Sequence, residues 1–144
     1  MDNTGVETEV YSLVVPANTL QATGRLSITL FGNVIGLGGS DEATLRAKIG
    51  GTTITSRVNS VNSGTRGFVI EANWVSEGAT SSTIWMRSQG WVDTTNPFAL
   101  DRGASTADLT TELTFSVTWD WTTAGAGRTY TMEYADAVLY FPVG

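Results

Sequence analysis

Two carboxylates, Glu71 and Asp120, are the residues of this chain best placed for catalysis. The sequence has no cysteine and no histidine, so it lacks thiolate chemistry, disulfides and the commonest general base. A glycosidase needs two carboxyl groups about 5 to 9.5 Å apart. Each candidate lies on the polar face of its own alternating segment, which favours a solvated strand position. We therefore predict a protein that is not an enzyme and that needs no cofactor.

Lys48, the only lysine, could in principle serve as the base for a nucleophilic serine. It alternates with apolar residues beside Arg46 in a short run that precedes Gly50-Gly51. A charge in that setting is typical of a residue that protects the edge of a sheet. We predict this role for Lys48.

Two acidic pairs, Asp41 with Glu42 and Asp93 with Asp101, could ligate Ca²⁺ through oxygen. Neither spacing matches the calcium loop in which acidic residues alternate before a glycine. Surface loops explain both pairs more simply, and we predict no metal site.

Two tryptophans, Trp85 and Trp91, lie on the same predicted strand face as Arg87. Exposed aromatic side chains of this kind are typical of a platform that stacks a sugar or of a subunit contact. Trp74, Trp119 and Trp121 instead follow apolar stripes, which predicts that they are buried.

The net charge is −6, and the seven arginines are scattered singly along the chain. Binding to nucleic acid requires clustered lysine and arginine, so we predict no nucleic-acid partner. The polar, acidic N-terminus is unlike a signal peptide, and no apolar run approaches the length of a membrane span. We expect no membrane partner.

Alternation of apolar and polar residues with period two runs through most of the chain. It is clearest at residues 45–54, where Gly50-Gly51 supplies the positive φ angles of a two-residue hairpin turn. No segment of eleven or more residues has helical periodicity. The pattern predicts an all-β, antiparallel two-sheet sandwich or jelly roll of about eight strands, at residues 9–15, 25–31, 45–49, 52–56, 68–74, 84–91, 113–121 and 129–141.

Some segments carry a more specific expectation. We expect residues 113–121 to form a strand with one buried and one solvent-exposed face. We expect residues 93–111 to lack regular secondary structure. The continuous apolar residues after Asp136 predict a β-bulge near that position or burial on both faces. Residues 1–8 are predicted to be an extended N-terminal arm and residues 9–144 a single domain.

The combination of residues 11–15, the Pro16 corner at 16–20, Gly24-Arg25-Leu26 and the hairpin at 45–54 resembles the small jelly-roll modules of tailed-bacteriophage virions. Trp74-Val75, residues 113–121 and the ending at 137–141 fit the same layout. Such modules occur as capsid decoration (cement) proteins and at the tips of tail fibres. The similarity covers most of the chain from Tyr11 onward, and its motifs mark turns and core positions.

The resemblance implies a homotrimer that binds the major capsid protein or another virion protein, assembled in the host cytoplasm and located on the virion. A chain that starts with Met1 and forms one domain favours capsid decoration over a fibre tip. We then expect the arm to contact the capsid through Asp2, Asn3, Thr4, Val6 and Glu7. Candidate subunit contacts are Trp85, Trp91, Tyr140 and Phe141.

Two other functions stay open. A receptor-binding tail-fibre tip would bind a host cell-surface glycan near Trp85, Arg87 and Trp91. A carbohydrate-binding module of a secreted enzyme is the third possibility, and it is disfavoured by the missing signal peptide.

Overall fold

Nine β-strands make up the fold, and the described part of the chain contains no helix. The computed structural model of the protein describes residues 6–20, 23–36, 41–61, 64–89, 100–122 and 127–141. The strands are β1 (Thr8–Val15), β2 (Arg25–Gly36), β3 (Asp41–Ile49), β4 (Thr52–Val61), β5 (Gly64–Gly78), β6 (Ser81–Gln89), β7 (Asp101–Ser105), β8 (Leu113–Trp121) and β9 (Thr129–Tyr140).

The strands form two antiparallel sheets, in the order β1-β8-β3-β4 and β7-β6-β5-β2-β9. In the four-stranded sheet, β3 is followed by its neighbour β4. In the five-stranded sheet, β5, β6 and β7 are consecutive neighbours. Every other connection passes to the opposite sheet. Strand β4 contacts β6 and β7 across the interior. The predicted all-β sandwich is confirmed, with nine strands in place of about eight.

The core lies between the sheets and is rich in aromatic rings. Trp74 of β5 is fully buried and stacks on Phe115 of β8, with ring centres 6.2 Å apart. Trp119 lies 4.6 Å from the ring of Tyr130 and 5.4 Å from that of Trp121. The prediction that Trp74, Trp119 and Trp121 are buried is confirmed.

The predicted hairpin is present, with Gly50 at φ 55° and Gly51 at φ 81°. Two consecutive positive φ angles are those of a type I′ turn, which glycine adopts without a steric penalty. Leu45 and Ala47 are fully buried, as their alternation predicts.

The expectation of an irregular segment at residues 93–111 is wrong at residues 101–105, which form β7 against β6. Hydrophobic periodicity could not indicate this strand, since its sequence Asp-Arg-Gly-Ala-Ser has no apolar stripe. Gly103 explains how it packs, because a Cβ there would lie 1.8 Å from the carbonyl oxygen of Ile54 on β4. The two sheets approach so closely at this point that no side chain can be accommodated.

The β-bulge predicted near Asp136 lies at Glu133. Phe31 of β2 pairs with Tyr134 and Gly32 pairs with Met132, which leaves Glu133 as the extra residue. A bulge reverses the alternation of side chains between the two faces. Tyr130 before it is buried, whereas Tyr134 after it is exposed.

Lys48 does not protect a sheet edge, because β3 is an interior strand between β8 and β4. Its ammonium group forms an ion pair with Glu7.

The prediction that the second face of β8 is exposed to solvent is partly wrong, since Ser116 and Thr118 are buried. They lie beside the long side chains of Lys48 and Arg46, which pair with them in register and cover them.

The N-terminal segment contacts the outer face of the four-stranded sheet at Glu7. Its carboxylate accepts a 2.6 Å hydrogen bond from the Thr118 hydroxyl and lies 3.7 Å from Arg46. Val6 beside it is 65% exposed. Asp2, Asn3 and Thr4 of the predicted arm lie outside the described residues.

Candidate binding site on the outer face of the five-stranded sheet

The two carboxylates considered for catalysis lie on different sheets. Glu71 is on the outer face of β5 and forms an ion pair with Arg87, while Asp120 on the outer face of β8 lies 3.7 Å from Arg46. Packed sheets are about 10 Å apart, so groups on opposite outer faces lie farther apart than the carboxyl pair of a glycosidase. The fold does not bring these residues into one site.

Two of the four acidic residues considered as calcium ligands, Asp41 and Asp101, form ion pairs with arginines. Asp41, the buried first residue of β3, lies 2.7 Å from the guanidinium of Arg128. Asp101 on β7 lies 2.9 Å from Arg57, whose Nε donates to Asn59. The described residues contain no cluster of three or more potential metal ligands, and Asp93 lies outside them.

The outer face of the five-stranded sheet carries Trp85 and Arg87, two of the predicted binding residues. Trp85 is half-buried on β6, and the guanidinium of Arg102 lies 4.9 Å from the centre of its ring. Arg87 is 44% exposed and donates from Nε to Glu71. This hydrogen bond raises the pKa of the Arg87 guanidinium. Trp91 lies outside the described residues.

A groove of about 490 Å³ opens beside Trp85 on this face. We call it the Arg25 groove, after the residue that forms its far wall. Strands β2, β5 and β6 supply six of its lining residues, and the remaining one precedes β7. The lining consists of Arg25, Glu71, Asn73, Val75, Trp85, Arg87 and Leu100.

Arg25 forms no ion pair with any described carboxylate, unlike Arg87. Its guanidinium lies 4.2 Å from the centre of the Tyr140 ring on β9. The register places Arg25 directly between Val75 on β5 and Tyr140 on β9. A planar, permanently charged group held in this way can bind a carboxylate through two parallel hydrogen bonds.

Beyond Arg25, the same face carries a series of exposed apolar side chains along β2 and β9, which we call the apolar row. The bulge at Glu133 turns three of its members outward. The row consists of Phe31, 41% exposed, Tyr134, 57%, Val138, 39%, and Tyr140, 46%. Phe141 follows the end of β9 and is 64% exposed.

The sequence indicates part of this surface. Alternation alone places Trp85 and Arg87 on one face, and Tyr140 was expected at a contact. Arg25 could not be assigned to the same site, because it lies sixty positions from Trp85 along the chain. Only the order β6-β5-β2-β9 places these side chains together.

Comparison with known proteins does not assign the chain to a family. No family model matches it, and a search of the curated proteins finds no similar sequence. Among the described residues there is no helix long and apolar enough to cross a membrane.

Proposed function

We propose that this protein is a non-catalytic structural component of a bacteriophage virion, a homotrimeric decoration protein that binds and stabilises the capsid surface. The virion location, the assembly in the host cytoplasm and the number three follow from the resemblance of its turn and core motifs to phage jelly-roll modules. The apolar row is the observation that supports an assembly role.

The apolar row is unusual for a free surface. Monomeric proteins rarely expose contiguous apolar patches unless these mediate an interaction. Tyr134, Val138 and Tyr140 lie on one face of β9, with the exposed Asp136 between the first two, and the Phe31 ring lies 5.9 Å from the Tyr134 ring. Interfaces are enriched in such aromatic groups. We assign the row to contacts between copies of this chain.

The N-terminal residues are proposed to contact the capsid protein. Glu7 holds the start of β1 on the outer face of the four-stranded sheet, away from the apolar row. An arm that begins at this sheet can reach a second surface while the other sheet packs in the trimer. Clamping of neighbouring capsid subunits stabilises them by mass action, without chemistry.

The assembly is tested by measuring the mass of the protein in solution with light scattering. A trimer is expected for the wild type, and the double variant Tyr134→Ser with Val138→Ser is expected to be a monomer. Val58→Ser is the control, because Val58 is also exposed, at 53%, but lies on β4 of the other sheet. A monomeric wild type contradicts the proposal.

Capsid binding is tested by deletion of residues 1–6, which leaves Glu7 and β1 intact. The truncated protein is expected to keep its oligomeric mass and to lose affinity for expanded phage heads at least tenfold. Unchanged affinity would show that the arm is not the capsid contact.

A second function, the receptor-binding tip of a tail fibre, is favoured by the Arg25 groove and its half-buried Trp85. It predicts that the free protein binds host cells and protects them from infection. A decoration protein is expected to give no protection from infection, even if it binds a glycan.

A further inference from the structure

We propose that the Arg25 groove binds an acidic saccharide, with Arg25 holding the carboxylate and Trp85 packing against the sugar ring. This inference goes beyond the assembly role and does not depend on it. The groove lies on β2, β5 and β6, on the other side of Arg25 from the apolar row.

The charge of the groove favours an anion. Its lining has two arginines, Arg25 and Arg87, against one carboxylate, Glu71, on a chain of net charge −6. Glu71 is paired with Arg87, and none of the described carboxylates forms an ion pair with Arg25. A local positive site on an acidic protein attracts anionic ligands.

The geometry favours a carboxylate at Arg25. The Tyr140 ring at 4.2 Å restricts the guanidinium, and register with Val75 fixes the backbone from which it extends. A side chain that is already held in position loses less conformational entropy when a ligand binds. Its planar fork of donors matches a carboxylate better than the single charge of a lysine does.

The rest of the groove is suited to a sugar ring. Trp85 is held by Arg102 on β7, and it stands beside its register partner Asn73. Trp85, Val75 and the 51% exposed Leu100 supply apolar contacts, while the amide of Asn73 can hydrogen-bond hydroxyl groups. Two strand spacings separate β6 from β2, about 10 Å, which suits one or two sugar rings.

The test is calorimetric titration of the full-length protein with two matched pairs of glycans. Sialyllactose is compared with lactose, and a disaccharide that contains glucuronic acid is compared with its glucose counterpart. We expect the acidic member of at least one pair to bind at least tenfold more tightly than the neutral one. Equal affinity within both pairs, or no binding of any glycan, overturns the proposal.

Substitutions in and outside the groove test whether the glycan binds there. Arg25→Gln is expected to abolish the preference for the acidic glycan, whereas Arg66→Gln, at an exposed position of β5 outside the groove, should keep it. Glu71→Gln removes the competing carboxylate and is expected to tighten binding of the acidic glycan about threefold. A gain of affinity cannot result from misfolding. Loss of affinity in Glu71→Gln, or an unchanged preference in Arg25→Gln, contradicts the assignment.

An acidic peptide is the competing ligand class. A glutamate-rich peptide of about seven residues, titrated in the same way, is expected to bind at least tenfold more weakly than the acidic glycan. Tighter binding of the peptide would assign the groove to a protein partner and overturn the proposal.

Discussion

The guanidinium of Arg25 lies 4.2 Å from the centre of the Tyr140 ring, and this contact joins two different surfaces of one sheet. Arg25 lines the groove that ends at Trp85, while Tyr140 belongs to the apolar row on β9. Because β2 lies between β5 and β9, one side chain of β2 can contact both. A change at Tyr140 is therefore expected to affect both assembly and ligand binding.

Tyr140→Leu is expected to weaken binding of an acidic glycan about threefold, because a cation–π contact at an exposed site contributes about 0.5 to 1 kcal/mol. Tyr134→Leu is the matched control, since Tyr134 is similarly exposed on the same strand but contacts Phe31. Both variants are expected to weaken self-association. Calorimetric titration with the glycan distinguishes them, and equal affinities would show that Tyr140 does not position Arg25.

Gly103→Ala is expected to destabilise the protein by about 2 kcal/mol or more, since its Cβ would lie 1.8 Å from the Ile54 carbonyl oxygen. The two nearest atoms, the carbonyl oxygen and carbon of Ile54, are backbone atoms, which cannot rotate aside as a side chain can. Gly67→Ala is the control, because the nearest atom to its Cβ would be 3.9 Å away. Urea unfolding should show a change within about 0.5 kcal/mol for Gly67→Ala. A similar small change for Gly103→Ala would mean that β7 can move away from β4.

The ion pair of Glu7 makes the free energy of unfolding depend on pH in the acidic range. The hydrogen bond from Lys48, followed by that from Thr118, holds the pKa of Glu7 below the ordinary value of 4.5. Because the pKa of Glu7 is lower in the folded state, the ion pair stabilises the fold above about pH 4.5. This stabilisation is lost as the pH falls through the folded-state pKa.

Glu7→Gln is therefore expected to lower the free energy of unfolding by about 0.5 to 1 kcal/mol at pH 7. The difference from wild type should shrink as the pH falls below about 4.5. Chemical unfolding at several pH values measures it. Glu112→Gln serves as the control, because the exposed Glu112 forms no ion pair with any described residue. A difference that stays constant as the pH falls from 7 through the acidic range to acid unfolding would show that the carboxylate charge is not responsible.

The buried hydroxyl of Tyr130 makes the free energy of unfolding depend on pH in the alkaline range. Burial raises the pKa of its hydroxyl above the ordinary value of 10.0. The unfolded chain then ionises first, so stability is retained below about pH 10 and is lost as the pH rises toward the folded-state pKa. Tyr130→Phe keeps the ring against Phe68 and Trp119. Between pH 9 and 11 this variant should lose about 1 kcal/mol less stability than wild type in urea unfolding. Parallel pH curves would contradict the expectation.

The pair of Arg57 and Asp101 fastens β4 to β7 across the two sheets. Asp101→Asn removes the carboxylate that lies 2.9 Å from the buried Arg57 guanidinium and is expected to cost about 2 kcal/mol. Glu77→Gln is the matched comparison, since Glu77 lies 4.0 Å from Arg102 with both side chains about half exposed. Exposed pairs contribute little, so its cost should stay below about 0.5 kcal/mol in urea unfolding. Equal costs would mean that burial does not strengthen the Arg57 pair.

Local patterns predicted the strands and their buried faces. Residues 113–121 and the Gly50-Gly51 hairpin could be assigned correctly because period-two alternation and positive φ are properties of a few consecutive residues. Strand β7 escaped prediction because its five residues carry no apolar stripe, and a backbone contact at Gly103 determines its position.

The sequence by itself determined that the chain is an all-β sandwich whose buried tryptophans include Trp74 and Trp119. It also identified Trp85 and Arg87 as residues of one face. Only the tertiary structure decided that Arg25 completes their groove and that Lys48 is interior, because strand order depends on pairings between distant segments. The one-residue bulge at Glu133 then turned Tyr134 and Tyr140 outward, since a shift of one residue exchanges the two faces of a strand.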